Sequence, residues 1–137
     1  MAIATRDTPV GTTLPPLTRT VAPVVMKSRQ WTGTNPVHAD EELARRQGFA
    51  KPIATGQISA AYIQEMCIRF FGEAFFYNAS IDVRFVRPVF MGDTLTTGGV
   101  VREKTLEGSG LRFTVDAWCQ NEQREQVTVA VVHAVVA

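Results

Sequence analysis

The sequence predicts an α+β domain in which an antiparallel sheet wraps around one long helix. Three observations carry this expectation. The chain has 137 residues, which by ordinary domain sizes makes one domain with one core. Residues 56–71 form a proline-free apolar stretch with Ile58, Ala61, Tyr62, Met66 and Phe70 near helical spacing. From Asn78 onward the apolar period becomes two, interrupted only by turn residues.

Taken in order, Met1 to Pro16 holds three of the seven prolines and no apolar periodicity. It reads as an extended N-terminal arm, free to move, that leads into a domain over residues 17–137. Leu17 to Val25 alternates weakly as a first strand, and Val24 to Trp31 reads as a short helix ending at Gly33. Thr32, Gly33, Thr34, Asn35 and Pro36 are dense breakers that make an ordered loop, with His38 at its end. Asp40 is placed to cap a helix over Glu41 to Gln47, with Arg45 and Arg46 in its last turn and Gly48 beyond. The long central helix follows over Gly56 to Phe71. Ile81, Val83 and Phe85 then alternate in a strand to Arg87, and the Gly92-Asp93 turn leads into Thr94 to Lys104. Glu107 to Gly110 make a hairpin into Leu111 to Cys119, and Asn121 to Arg124 make a further turn. The last segment, Glu125 to Val136, is rich in valine on both faces, as expected of a central strand or an interface.

Composition narrows the function. A net charge of +1 creates no broad field to attract nucleic acid or anionic lipid. The most apolar run, Val127 to Ala137, contains Thr128 and His133 and is far shorter than the roughly 20 residues of a spanning helix, so no membrane crossing is expected. The first residues carry no basic start followed by an apolar stretch, which makes the cytoplasm the expected compartment. Cys67 and Cys119 show no pairing motif and no histidine at metal-ligand spacing, so they read as buried small hydrophobes and no metal site is expected.

Chemistry concentrates in two segments, Asn35-Pro36-Val37-His38-Ala39-Asp40 and Pro52-Ile53-Ala54-Thr55-Gly56-Gln57. A histidine held between a proline turn and a capped helix is well oriented to carry a proton near neutral pH. The same residue could simply pack or hydrogen-bond locally. Arg84 and Arg87 flank a strand where a guanidinium could meet a phosphate or a neighbouring subunit's carboxylate, or lie on a solvated face. Phe70, Phe71, Phe75, Phe76 and Tyr77 suit core or dimer packing more than the lining of a ligand tunnel.

The stretch from Trp31 to Tyr62 resembles the MaoC-like family, which includes (R)-specific enoyl-CoA hydratases and related dehydratases. The likeness rests on Asn35, Pro36, Val37, His38 and Asp40, then Ile53, Ala54 and Gly56, and later on the run Val83 to Leu95, over nearly the whole domain. The resemblance implies a hot-dog fold, usually paired into a dimer. It also implies chemistry on an acyl thioester, with water added to or lost from the bond between the second and third acyl carbons. Coenzyme A or a carrier protein would be the substrate handle, and no separate cofactor is implied. His38 would be the proton-transfer group, Asn35 would orient the loop or the water, and the Gly56 N–H would polarise the thioester carbonyl. Thr34, Thr55, Gln57, Arg84 and Arg87 would contact substrate.

Two departures qualify this. The family's acid lies five positions before its histidine, where this chain has Gly33, and Thr55 and Gln57 replace a histidine and an apolar residue around the helix glycine. Losing one proton-handling group costs roughly 100- to 10,000-fold in acid–base catalysis. Three readings follow: an active hydratase or dehydratase using His38, a catalytically reduced subunit paired with a complete MaoC-like partner, and, more weakly, an acyl-CoA thioesterase. A homodimer or a heterodimer with another hot-dog chain is expected from the apolar last strand and the aromatic cluster.

Overall fold

A computed structural model describes residues 3–21, 45–46 and 56–137. The elements are β1 (Thr18–Thr20), α1 (Gly56–Phe71), α2 (Ala74–Tyr77), β2 (Ala79–Phe85), β3 (Thr94–Glu107), β4 (Gly110–Gln120) and β5 (Gln126–Val136). The five strands form one sheet in the order β1-β3-β4-β5-β2, and every neighbouring pair is antiparallel.

The long helix and the four strands after it lie where the periodicity puts them. Of the first strand expected over 17–25, β1 covers Thr18–Thr20, Val21 then donates its N–H to the Asp93 carbonyl, and residues 22–25 lie outside the described residues. The expected helices over 24–31 and 41–47 and the loop between them lie outside the described residues, save Arg45 and Arg46, which are helical and exposed. α2 is a single turn of aromatic residues that the sequence pattern does not announce. β3 runs past Lys104 to Glu107, with a register shift between Val101 and Glu103.

Strict alternation divides the sheet into two faces. Towards α1 point Val115, Ala117 and Cys119 of β4 and Ala130, Val132 and Ala134 of β5, all buried. Against them α1 buries Ile58, Ile63, Met66, Cys67, Phe70 and Phe71. Gly99 lets the helix approach closely, since a Cβ there would lie 3.2 Å from Met66 Cε and 3.3 Å from Val115 Cγ1. Phe71 is edge-on to both Phe70 and Phe113, with ring centroids 4.9 and 5.8 Å away. α1 ends at Gly72, whose φ of +63° is the left-handed geometry of a helix stop and whose N–H bonds the Ile68 carbonyl. The opposite face carries Trp118, Val129, Val131 and Val135, which are half-buried, among Asp82, Arg84, Asp116 and His133.

The N-terminal arm is docked rather than free. Gly11 donates to Val101 O at 2.7 Å, Val101 donates to Thr12 O at 2.9 Å, Leu14 donates to Gly99 O at 2.9 Å, and Thr97 donates to Leu17 O at 2.8 Å. Thr13 forms a bridge with Val100. Ala4, Leu14 and Leu17 are buried in the core, and the N–H groups of Ile3 and Ala4 both reach the Phe70 carbonyl. The arm thus straps the outer edge of β3 through backbone bonds that need no apolar period.

Candidate active site

The described part of the site is the N-terminal end of α1. The helix starts at Gly56 with no acidic side chain in its first turn, so its leading N–H groups carry the positive end of the helix dipole without an intrinsic counter-charge. Gln57 is exposed there. One turn in, Ser59 and Thr128 are 2% and 1% exposed, and their hydroxyls meet at 2.7 Å. This pair ties the start of α1 to β5.

Thr128 has Cys119 on one side and Phe85 on the other in the sheet register. Phe85 shares the helix-facing side of β2 with Ile81 and Val83, which pack on the core, yet Phe85 itself is 58% exposed. The sheet therefore ends, beside the helix start, in an apolar surface. Ser59, Thr128 and Phe85 were not singled out by the sequence reading. The signal available was a serine inside an apolar helix and a threonine inside a run of valines.

Tyr62 is half-buried one turn further along. Burial pushes its hydroxyl pKa up, Cys119 adds to this, Arg19 opposes it, and Glu65 adds again. Glu65 itself accepts from Arg19 at 2.7 Å and from Arg69 at 3.0 Å. Burial pushes both thiols, Cys67 and Cys119, up to about 12, so neither is a nucleophile at neutral pH.

Of the residues proposed from sequence, His38, Asn35, Thr34 and Thr55 lie outside the described residues. Gly56 and Gln57 open α1. Arg84 projects from the sheet face away from α1, in line with Val129 and Trp118 across the sheet. Arg87 lies beyond β2, with Nη1 3.7 Å from Glu125 Oε2. The structure thus separates Arg84 from the start of α1. Asp93 closes a turn by accepting the Phe90 N–H at 2.8 Å. Among the described residues no group of His, Cys, Asp and Glu side chains could hold a metal ion, and no helix is long and apolar enough to cross a membrane.

One helix laid across the concave face of an antiparallel sheet defines the hot-dog class. The family described as MaoC like domain matches residues 28–135. The chain belongs to this MaoC-like dehydratase family. Among solved structures, a monoamine oxidase regulatory protein from Archaeoglobus fulgius is similar at 26% identity and a TM-score of 0.79, covering 98% of this chain and 94% of that one. The R-hydratase PhaJ1 from Pseudomonas aeruginosa is 24% identical with a TM-score of 0.77, covering 98% and 86%. The ChsH1-ChsH2 complex from Mycobacterium tuberculosis contains a chain 24% identical with a TM-score of 0.77, covering 95% and 99%. No curated protein matches the chain at a significant level.

Proposed function

We propose that the protein is a hydratase or dehydratase of acyl thioesters, of the enoyl-CoA or 3-hydroxyacyl type. The observation that carries this reading is the run Asn35-Pro36-Val37-His38 in a MaoC-like chain whose central helix opens at Gly56. In hydration, His38 takes a proton from water as the water oxygen bonds to the third acyl carbon, and the proton returns to the second carbon. Asn35 orients that water or its loop. The Gly56 N–H, at the positive end of α1, stabilises the negative charge that grows on the thioester oxygen. Phe85 and the surface beside Thr128 offer an apolar wall to the acyl chain, and Thr34, Thr55 and Gln57 are the further residues assigned to substrate contact. Arg87, 55% exposed and 3.7 Å from Glu125 Oε2, would meet a phosphate of the substrate handle by exchanging that carboxylate for it; Arg84 faces elsewhere.

With Gly33 at the family's acid position, one group both accepts and returns the proton, so turnover is slow or restricted to substrates with an acidic second carbon. Gly33 and Thr55 also favour a second reading, a catalytically reduced hot-dog subunit completed by another MaoC-like chain. The heteromeric ChsH1-ChsH2 structure gives that reading a structural precedent. A thioesterase gains nothing, because Glu65 is already engaged by two arginines.

The test is hydration of a panel of enoyl-CoA thioesters by wild type and His38→Ala, each alone and mixed with candidate hot-dog partners. Activity lost in His38→Ala supports the first reading. Equal activity in both proteins removes His38 from the mechanism, and activity only with a partner selects the second reading.

A further inference from the structure

α1 meets the sheet mainly through apolar side chains. Ile58, Ile63, Met66, Cys67, Phe70 and Phe71 are buried against the strands, and burial of this kind has no preferred direction. Directional links are few among the described residues. At the far end of the helix, the N–H groups of Ile3 and Ala4 reach the Phe70 carbonyl. In the middle, Arg19 of β1 meets Glu65 from a half-exposed position, where water competes. Towards the start, Ser59 Oγ and Thr128 Oγ1 meet at 2.7 Å. At 2% and 1% exposure both hydroxyls are closed to water, so breaking their bond leaves a polar group buried without that partner.

Thr128 is itself held from both sides. It lies between Cys119 of β4 and Phe85 of β2 in the sheet register. Its neighbour Val127 accepts the N–H groups of Val86 and Arg87 at 2.9 and 3.2 Å. The end of β2 that carries Phe85 and the start of α1 are thus fixed to two consecutive residues of β5. Gly56 precedes Ser59 by three residues of the same helix, about 4.5 Å of rise.

We infer that Ser59 and Thr128 are positioning residues, whose hydroxyl bond sets the Gly56 N–H in a fixed place relative to the apolar wall at Phe85. The inference rests on the reading of Gly56 as the donor to the thioester oxygen. Such a donor contributes to rate only when it is aimed at the atom where charge develops, and a misplacement of about 1 Å can cost roughly a hundredfold. With the acyl chain against Phe85 and the carbonyl at Gly56, one buried bond holds both halves of the site in a common frame. The hydroxyls do not touch substrate, because both are sealed in the core, and they act through the first turn of the helix. Two apolar side chains of similar shape would fill the same space, and replacing both partners of a buried bond in this way is often nearly neutral for stability. What the hydroxyls add is a fixed length and direction.

The experiment compares Thr128→Val with Thr128→Ser. Valine keeps the shape of Thr128 and deletes the hydroxyl, whereas serine keeps the hydroxyl and deletes the methyl. Neither adds volume to the core. Both are assayed for hydration of enoyl-CoA thioesters, and the Gly56 amide signal is followed by two-dimensional NMR without substrate. Thr128→Val is expected to lower kcat roughly tenfold to a hundredfold with KM within about twofold, and to move the Gly56 signal. Thr128→Ser is expected to stay within about threefold of wild type in kcat and to leave that signal in place. The reverse order, with valine near wild type and serine slow, would show a packing role and overturn the inference, as would an effect on KM alone. His38→Ala, measured beside them, reports on the reaction separately. If wild type shows no hydration, or His38→Ala is as active as wild type, the proposed reaction falls and the Gly56 signal decides the anchor by itself: a moved signal in Thr128→Val sustains it, and an unmoved one overturns it.

Discussion

Leu14→Ala is the substitution that most directly tests the docking of the N-terminal segment. Leu14 is 2% exposed, belongs to the main core cluster, and is held by its own N–H to Gly99 O at 2.9 Å. Deleting a buried leucine side chain costs about 2–5 kcal/mol, so a loss of about 3 kcal/mol is expected. Unfolding entropy of about 2.1 cal/mol/K per residue converts this, for 137 residues, into a fall in Tm of roughly 10 °C. The control is Val10→Ala in the same segment, where the side chain is 56% exposed and the change stays within about 0.5 kcal/mol. Urea and thermal unfolding, followed by tryptophan fluorescence at one fixed protein concentration, give both numbers; the fixed concentration removes any mass-action term from self-association. A Leu14→Ala loss below about 0.5 kcal/mol, indistinguishable from Val10→Ala, would show that the segment contributes no core packing.

Gly98→Ala sets a Cβ 2.5 Å from the Trp118 indole. The ring must move, so a shift of Trp118 emission in a Trp31→Phe background is expected, with about 1–3 kcal/mol of destabilisation; an unchanged spectrum and stability would contradict the close approach. His133 has its pKa lowered by burial, then by Arg112 and Arg102, against a smaller opposing effect of Glu103, while Thr114 Oγ1 meets its Nδ1 at 3.1 Å. The unfolded chain therefore binds the proton more readily, so stability falls as pH drops through the ordinary value of 6.5 and on through the lowered folded one. His133→Gln should flatten that slope, and a steeper slope in the variant would reverse the assigned sign. Cys67 and Cys119, buried and pushed up to about 12, should resist an aromatic disulfide reagent at pH 8 until denaturant is added; a fast-reacting thiol in the native protein would contradict their burial.

What the sequence discloses follows from how each feature is encoded. α1 and β2 to β5 are written as repeating side-chain periods, and their positions were legible to within about three residues at each end. β5 lies between β4 and β2, as its valines on both faces imply. α2 was not legible because one turn cannot display a period. Nor was the strap, whose attachments run from backbone to backbone across most of the chain and leave no trace in side-chain order. Among the candidate site residues, Asn35, Pro36, Val37, His38 and Gly56 stand out in the sequence by residue type alone. Ser59 and Thr128 become visible only when the fold brings two distant hydroxyls to 2.7 Å. Arg84 shows the opposite case: its charge invited a ligand reading, and strand parity turned it to the face away from α1.

The strapped edge has a consequence for growth. Pro9, Pro15 and Pro16 lie within the segment that covers β3, and proline has no N–H to offer an incoming strand. A sheet finished in this way takes no further strand beside this stretch of β3. On that side the route from strand pairing to fibre is shut by a segment that belongs to no regular strand.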